Sequence, residues 1–317
     1  MADVSLNRKG SYERMSRLFS DDAIASKLSA KFIQKYSPKV IGRLERRQTW
    51  FEQWIDEGSF VGLTVLDVGA GFGINSFAFA LAGARKVVAN ELASYRCQDM
   101  REIAKFTNLE NIQVDCCSFE RSMRQSGPFD IIVSSYFLSH LHEDETFLNL
   151  CEQSLKPGGQ LLLLDDNNAL SPWRRITVRK EWWRSEFVGN RDSEHGYLFM
   201  RRKAIAEWIP SGPFKGLLVS IAAWLTRGMS LDECRVYINS IMKKQKRPPR
   251  AAFAYRNPVS GIAEERLLNP KRLIRRLEAR GFSVKWNSVT KKKSLLKKLS
   301  KRFEAEFLLQ ATRIKAN

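Results

Sequence analysis

A short apolar strand, a turn with three glycines and an apolar helix follow one another directly, and this succession limits the fold more than any other feature. The strand is Thr64-Val65-Leu66-Asp67-Val68, the turn is Gly69-Ala70-Gly71-Phe72-Gly73, and the helix carries Phe77, Phe79 and Leu81. Glycine adopts positive φ without a steric penalty, so the chain can reverse from strand into helix here. Units of this kind build sheets of parallel strands with crossover helices.

The same alternation continues on both sides of a long interruption. Further strands are predicted at Lys86–Asn90, Ile112–Val114, Phe129–Val133 and Gln160–Leu164, and then at Phe282–Trp286 and Phe307–Ala311. Asn269 suits a helix N-cap, Pro270 suits the first helical position and Gly281 suits the C-terminal stop. The chain is therefore predicted to fold as an α/β protein with a Rossmann-like, doubly wound sheet.

The pattern divides the chain into four stretches. Residues 1–58 are predicted as a helical segment, 59–168 as the core that carries the glycine turn, and 269–317 as the return of the core. Residues 169–268, basic and rich in aromatics, follow the fifth strand and are far longer than an ordinary loop. We expect them to form a helical insertion that covers the substrate side of the sheet as a lid.

Charge is distributed unevenly along the 317 residues, whose net charge is +19. Residues 1–170 carry 19 basic and 22 acidic side chains, whereas residues 171–317 carry 34 basic and 12 acidic ones. A field of this sign attracts phosphates, nucleic acid or anionic lipid. For single runs of lysine, a solvated helix face is an equally simple explanation.

Location and redox state follow from what the sequence lacks. We expect a cytoplasmic protein, because no apolar core follows the first charges and the longest apolar stretch, near 216–225, is shorter than a membrane span. The five cysteines are odd in number and fit neither a zinc site nor a redox pair, so we expect them to be reduced.

The glycine turn and one acidic residue carry the functional prediction. A helix N-terminus presents free N–H groups to an anion. Glu91 ends the second strand, 18 residues after Gly73, where a carboxylate can accept both hydroxyl hydrogens of a ribose. The G-x-G-x-G spacing differs from the G-x-G-x-x-G of NAD-binding proteins, which leaves a NAD enzyme as an alternative. A tight turn in an ordinary α/β domain is another alternative.

With these motifs, residues 60–167 and 270–314 resemble the class I S-adenosylmethionine-dependent methyltransferases, in particular their small-molecule branch. The resemblance rests on Val65–Gly73, Glu91, Phe129–Leu141 and the Leu155-Lys156-Pro157-Gly158-Gly159 segment before the fifth strand. It implies a methyl-transferring enzyme with S-adenosylmethionine as cofactor and S-adenosylhomocysteine as product. It also implies a seven-stranded sheet whose last strand, here near Phe307, runs antiparallel.

The resemblance also implies cofactor-binding residues. They are Asp67, Gly69, Ala70, Gly71 and Gly73 around the methionine part, Glu91 on the ribose, Leu92, Ser118 and Phe119 near adenine, and Ser134 and Ser135 beside the methyl donor. One position departs from the family pattern. The family often has an acidic residue after the third strand, whereas this chain has Cys117-Ser118-Phe119.

Candidate catalytic residues are few. His140 follows the fourth strand, and Asp165 and Asp166 end the fifth, so each is a candidate general base. A structural role for His140 and a capping role for the two aspartates are the alternatives. The residues expected to contact the acceptor are Tyr136, His140, Asn167, Arg174 and Arg175. No metal site is predicted, because His, Asp and Glu are not clustered at ligand spacing.

The acceptor is predicted only by class. We expect O-methylation of a small, glycan or lipid-linked anionic molecule, because arginines follow the polar end of the fifth strand. The apolar segment 214–225 is compatible with a membrane-surface helix, a lipid-tail site or a buried lid helix. Two other functions stay open: an RNA methyltransferase that uses the basic second half, and a non-catalytic scaffold. The oligomeric state is left open.

Overall fold

The computed structural model describes residues 10–11, 13–18, 20–37, 40–56, 58–141, 144–166, 168–174, 204–225, 231–243, 254–256, 263–287, 304 and 306–314. Of the residues singled out above, Asn167 and Arg175 lie outside these ranges. The basic run 291–302 lies outside them as well.

A seven-stranded sheet organises the described residues, and it confirms the predicted fold class. Its strands are β1 Thr64–Val68, β2 Lys86–Glu91, β3 Ile112–Cys116, β4 Phe129–Ser135, β5 Leu155–Asp165, β8 Phe282–Asn287 and β9 Phe307–Arg313. They lie in the order β3-β2-β1-β4-β5-β9-β8. Strands β1 to β5 pair in parallel, whereas β9 is antiparallel to both of its neighbours. The last strand is therefore the antiparallel one, as predicted.

Helices connect and flank the strands. They are α1 Asp22–Ala25, α2 Ala30–Tyr36, α3 Val40–Glu52, α4 Ile74–Leu81, α5 Ser94–Thr107, α6 Phe119–Ser126, α7 Glu145–Ser154, α8 Lys215–Leu225, α9 Leu231–Met242 and α10 Pro270–Glu278. As predicted, Asn269 caps α10, and its side-chain oxygen accepts hydrogen bonds from the N–H groups of Lys271 and Arg272 at 3.1 and 3.3 Å. Gly281 follows with φ +77° and ends this element.

The sheet has a hydrophobic core on each face because successive strand residues point in opposite directions. In β1, Val65 belongs to one core with α1 to α5, and Leu66 belongs to the other with α7 and α10. Both faces are thus covered, as expected of a buried parallel sheet.

The N-terminal helices pack on the same face as α4. Phe51 of α3 is fully buried, and its ring centre lies 5.1 Å from that of Phe79 in α4. Asp99 of α5 accepts the backbone N–H of Ser29 at 2.8 Å, just before α2 begins. These contacts hold α2 and α3 above the carboxyl end of β1.

The structure modifies the prediction for two segments. The run Lys156–Gly159 was predicted as a turn before the fifth strand, but β5 begins at Leu155 and includes it. The pairing with β4 jumps from Phe129–Leu155 to Ile131–Gln160, so the turn residues form an irregularity inside the strand. Residues 169–268 are not wholly helical, since β6 Ala254–Arg256 pairs with β7 Ala263–Arg266.

The two ends of the inserted stretch meet in space. Asn168 and Leu268 form an isolated parallel bridge, and the N–H of Ala169 donates to the carbonyl of Leu268 at 2.7 Å. The chain therefore leaves and rejoins the core at neighbouring points. The division into four domains stays a prediction.

Among the residues that the structure describes, no helix is both long and apolar enough to span a bilayer.

Replacing Phe51 by alanine tests how α3 is anchored. We expect the free energy of unfolding to fall by about 3–5 kcal/mol, because a fully buried aromatic ring is lost from the core. Urea titration followed by circular dichroism measures this change. The control is Val61→Ala, at a side chain 58% exposed, which should change stability by less than about 0.5 kcal/mol. Equal effects of the two substitutions would contradict the anchoring role.

Candidate functional site

The candidate site lies at the carboxyl ends of β1 and β4. These strands are neighbours, but the chain leaves β1 toward β2 on one side and leaves β4 toward β5 on the other. The loops that follow them therefore diverge, and a crevice opens at this switch point, where α/β proteins bind ligands.

The glycine turn forms one wall of the crevice, and all three glycines adopt left-handed backbone angles. Their φ values are +67° at Gly69, +61° at Gly71 and +78° at Gly73. A Cβ at Gly69 would lie 2.4 Å from the ring of Phe137, and one at Gly73 would lie 2.7 Å from the sulfur of Met100. A Cβ at Gly71 would meet no atom within 4 Å. Two glycines are thus required by packing, whereas Gly71 faces open space.

Glu91 ends β2 beside the glycine turn, as the sequence predicted. Its Oε2 accepts the N–H of Gly71 at 2.9 Å, and its Oε1 accepts the N–H groups of Leu92 and Ala93 at 3.0 and 2.9 Å. The guanidinium of Arg96 lies 3.4 Å from Oε2. The carboxylate is largely buried and directed toward the turn, so binding a ribose requires exchange of some of these bonds.

Asp67 lies beneath the turn, and its surroundings are apolar. Its Oδ2 accepts the hydroxyl of Ser76 in the first turn of α4 at 2.7 Å. Burial raises the pKa of Asp67 to about 7, although the hydrogen bonds from Ser76 oppose this shift. Asp67 therefore fixes the start of α4, and its contact with the methionine part of a cofactor stays a prediction.

A cavity of about 710 Å³ opens in front of the glycine turn. Gly69, Ala70 and Gly71 line it on one side, and Ser135, Tyr136 and Leu164 line it from the ends of β4 and β5. The volume falls within the range of small-molecule sites. The sequence prediction placed Gly69, Ala70, Gly71, Ser135 and Tyr136 in the site, and these residues do line one cavity. Gly73 and Glu91, also predicted, are not among its described lining residues.

The opposite wall was not predicted. It comes from the N-terminal helices and consists of Lys35, Tyr36, Arg43, Arg46, Arg47 and Trp50. The sequence analysis predicted residues 1–58 only as a helical segment, and residues 1–170 together carry a slight negative net charge. The available signal was the spacing of Arg43, Arg46 and Arg47, which places three guanidinium groups on one face of a helix.

Tyr136 has a strained backbone at the bottom of the cavity. Its φ is +57°, its N–H donates to the carbonyl of Leu164 at 2.8 Å, and its hydroxyl donates to Oε1 of Glu306 at 3.2 Å. Burial, together with nearby Glu306, raises the pKa of Tyr136 to about 12. Strain of this kind occurs often at functional sites. Sequence analysis did not single out Glu306, which precedes β9.

Ser134 is buried at the end of β4. Within the part of the chain that the structure describes, its hydroxyl has no hydrogen-bond partner. The resemblance placed Ser134 beside the methyl donor, and an unpaired buried hydroxyl is unusual in a folded protein.

The predicted catalytic groups lie away from the cavity lining. His140 is exposed in a single turn of 3₁₀ helix, Leu138–His140, and Asp165 is buried, where its carboxylate accepts the N–H of Ser139 at 3.0 Å. The carboxylate of Asp166 lies 3.6 Å from the guanidinium of Arg174. None of these four residues is among the described residues that line the cavity. The assignments of His140, Asp165 and Asp166 as bases, and of Arg174 as an acceptor ligand, stay predictions.

The predicted adenine-binding residues lie at the ends of β2 and β3. Leu92 is 74% exposed, Ser118 is exposed at the start of α6, and the ring of Phe119 packs 5.7 Å from that of Phe137.

Among the described residues, no cluster of His, Cys, Asp and Glu has the composition to hold a metal ion.

Comparison with known proteins shows which proteins this chain resembles. Residues 65–159 match the family model described as "Methyltransferase domain". The ubiquinone biosynthesis O-methyltransferase of Xylella fastidiosa strain 9a5c is 34% identical over 125 residues, which are 38% of this chain and 49% of that protein. The enzyme of the same name from Cronobacter sakazakii is 26% identical over half of this chain and 64% of its own length. The chain spans about half the length of the curated relatives that it matches.

Solved structures with a similar chain path include a putative S-adenosylmethionine-dependent methyltransferase from Listeria monocytogenes. It is 14% identical, with a TM-score of 0.48, over 87% of this chain and all of that one. The magnesium protoporphyrin IX methyltransferase of Synechocystis PCC 6803, solved with bound SAH, is also 14% identical. Its TM-score is 0.46 over 95% of this chain and 93% of that one.

The buried carboxyl of Asp67 predicts a distinctive pH dependence of stability. Between pH 3.8 and about 7, the folded state keeps a proton that the unfolded state has lost. The free energy of unfolding of the wild type, relative to Asp67→Asn, should therefore fall as pH rises through this window. The slope is at most about 1.4 kcal/mol per pH unit. Urea titrations of both proteins at several pH values measure it.

Asp130→Asn is the matched control for this experiment. Burial alone would raise the pKa of Asp130, but the ammonium of Lys156 at 2.6 Å and the N–H of Thr64 at 2.7 Å lower it. The stability that Asp130 contributes is present above its unfolded pKa and is lost only as pH falls below 3.8. The wild type should thus hold a constant advantage over Asp130→Asn between about pH 5 and 7. A constant difference for Asp67→Asn as well would contradict the assigned pKa.

Proposed function

Because this chain carries a domain of the class I S-adenosylmethionine-dependent methyltransferase superfamily, we propose that it is an enzyme that transfers a methyl group to a small-molecule acceptor. The observation that carries this proposal is the hydrogen bond between Glu91 and the N–H of Gly71, a residue that lines the cavity. It brings the two strongest sequence signals, from different strands, to one point.

The residues of the crevice suit this cofactor. Gly71 leaves open the space that a Cβ would fill, and Glu91 places a carboxylate at the end of β2, within reach of a ribose. Ile74 and Asn75, at the start of α4, line the cavity and present a helix N-terminus to a carboxylate group. The residues proposed to hold the cofactor are Asp67, Gly69, Ala70, Gly71, Gly73, Glu91, Leu92, Ser118, Phe119, Ser134 and Ser135.

When it is bound, S-adenosylmethionine supplies an activated methyl group on a sulfonium. The chain's own contribution is then to orient the acceptor and to exclude water, which can account for most of the rate. Ser135, Tyr136 and Leu164 form the cavity floor on which an acceptor would rest. Trp50 of α3 lines the same space and would shield it from solvent.

A hydroxyl acceptor also benefits from a general base. Among the described residues that line the cavity, Glu306 is the acidic one, and it is held by the hydroxyl of Tyr136. We therefore place Glu306 first as proton acceptor. Asp165 already accepts a backbone N–H, and His140 is exposed outside the lining, so they rank behind it.

The acceptor is proposed to be an anionic small molecule, glycan or lipid-linked compound that is methylated on oxygen. The ubiquinone O-methyltransferases named above support transfer to oxygen, and the basic cavity wall supports negative charge. In the inserted stretch, Phe214, Leu217 and Ile221 expose 68%, 59% and 44% of their surface. Such exposure supports contact of this protein with a membrane surface or a lipid tail.

RNA methylation remains a second candidate function. The excess of basic residues in 171–317 would suit phosphate contacts, and binding of that kind weakens steeply with salt. A non-catalytic scaffold is the third candidate. The open space at Gly71 argues against a scaffold, because a Cβ built at this position would meet no atom within 4 Å. The cofactor side of the turn is therefore not blocked.

Glu91→Ala tests the cofactor site. We expect the affinity for S-adenosylhomocysteine to fall about 10- to 100-fold, because charge-assisted hydrogen bonds to the ribose are lost. Isothermal titration calorimetry measures this affinity, and Glu110→Ala, at an exposed position after α5, is the control. Equal affinity of Glu91→Ala and wild type would refute the role of Glu91. An absence of binding heat with wild-type protein would favour the scaffold.

Glu306→Gln tests catalysis. Purified enzyme and labelled S-adenosylmethionine are added to cell extract, and mass spectrometry identifies the fraction that gains the methyl group: lipid, small solute or RNA. We expect Glu306→Gln to lower the labelling rate about 10²- to 10⁴-fold while it still binds S-adenosylhomocysteine. His140→Ala and Asp165→Asn are compared in parallel. A rate loss in either of these, with Glu306→Gln unaffected, would transfer the role of base to that residue.

A further inference from the structure

Four basic side chains on one side of the cavity exceed what the cofactor requires. We call Lys35, Arg43, Arg46 and Arg47 the cationic wall. All four line the same space as the glycine turn, Ser135 and Tyr136.

Helix α3 presents its arginines to the cavity because of its periodicity. Val40, Leu44 and Phe51 form the buried stripe that faces the core. Arg46 and Arg47 lie three and four residues after Arg43, which places all three along one side of that stripe. Anchoring of the stripe therefore fixes all three guanidinium groups in the same direction.

Helix α2 adds the fourth cation and an aromatic ring between the charges. The ring of Tyr36 lies 5.5 Å from Nζ of Lys35 and 5.1 Å from the guanidinium of Arg43. Burial lowers the pKa of Lys35, and the positive charges of Arg96 and Arg43 lower it further. Like charges are thus crowded together, at a cost in free energy that a bound anion would relieve.

The cationic wall lacks counter-ions within the described residues. Arg96, which also lines the cavity, pairs with Glu91 at 3.4 Å. None of the four wall cations has an acidic side chain at ion-pair distance in that part of the chain. Glu306, the acidic residue of the described lining, is engaged by Tyr136.

The cofactor cannot balance this charge. S-adenosylmethionine carries one carboxylate, one ammonium and one sulfonium, so its binding adds net positive charge to the site. Its single carboxylate can offset the charge of only one cation of the wall. The wall therefore keeps positive charge that a second, multiply charged anion would complement.

We propose that the cationic wall binds a phosphate group of the methyl acceptor, an inference that rests on the function proposed above. Guanidinium groups form paired hydrogen bonds with phosphate oxygens, and three on one helix face suit a phosphate or pyrophosphate better than a single carboxylate. The bound phosphate lies opposite Ser135, Tyr136 and Glu306. The acceptor hydroxyl is thereby directed toward the floor of the cavity.

The test uses inorganic pyrophosphate as the probe, titrated by calorimetry into full-length protein saturated with S-adenosylhomocysteine. Wild type should bind it, and the double variant Arg43→Gln/Arg46→Gln should bind it at least 10-fold more weakly, because two charge-assisted contacts are lost. Lys27→Gln, at an exposed lysine between α1 and α2, is the control and should bind as wild type does. The affinity of wild type should fall as sodium chloride is added.

Three results would overturn the proposal. They are no binding of pyrophosphate by wild type, equal binding by the double variant, and competition between pyrophosphate and S-adenosylhomocysteine. The last result would show that the wall serves only the cofactor. Failure of the proposed function is distinguishable, because S-adenosylhomocysteine itself would then give no binding heat.

The source of the phosphate is resolved by two further probes. Glucose 1-phosphate represents a soluble acceptor, and vesicles with phosphatidic acid, compared with phosphatidylcholine vesicles, represent a lipid headgroup. Binding of either that is lost in the double variant supports the phosphate site and identifies its source. Vesicle binding that persists in the double variant would be assigned to the exposed apolar residues of 214–221. If the double variant binds both glucose 1-phosphate and the vesicles as wild type does, the result counts against the proposal.

Discussion

The left-handed backbone of the glycine turn is the constraint on which the site depends. Three positive φ angles within five residues reverse the chain from β1 into α4, and two of these glycines are pressed against Phe137 and Met100. Since no side chain fits at those two positions, the turn keeps its shape through packing. Glu91 then fixes the remaining glycine through its N–H. Turn, helix start and acidic residue therefore form one unit at the edge of the sheet.

The charge of the site is decided locally rather than by composition. Residues 1–170 carry more acidic than basic side chains, yet five of the described residues that line the cavity are basic residues from this half. The acidic residue of the described lining, Glu306, comes from the other half. Helix α3 buries Val40, Leu44 and Phe51, so the residues beside this buried stripe face the cavity. In this helix those residues include three arginines. Net charge over a long segment is thus a poor guide to the potential inside a cavity.

The fold was largely predictable because its signals are local. All seven strands of the sheet were expected within a few residues of their bounds, since apolar runs, the cap at Asn269 and the turn residues act within a few positions of themselves. The hairpin of β6 and β7 and the run of β5 through Lys156–Gly159 were not expected. In β5, pairing with β4 on both sides of this run absorbs the turn residues as an irregularity of the strand.

The amino-acid sequence by itself determined the glycine turn, the acidic end of β2 and the order of strands and helices. Each of these follows from the backbone freedom or hydrophobicity of neighbouring residues. Only the tertiary structure decided that Arg43 and Lys35 line the same cavity as Tyr136, that the hydroxyl of Tyr136 donates to Glu306, and that the carboxylate of Asp165 accepts the N–H of Ser139. These contacts join residues up to 170 positions apart, and their distances depend on how helices dock on the sheet. No local preference of the chain encodes that docking, because it results from the packing of whole faces against one another.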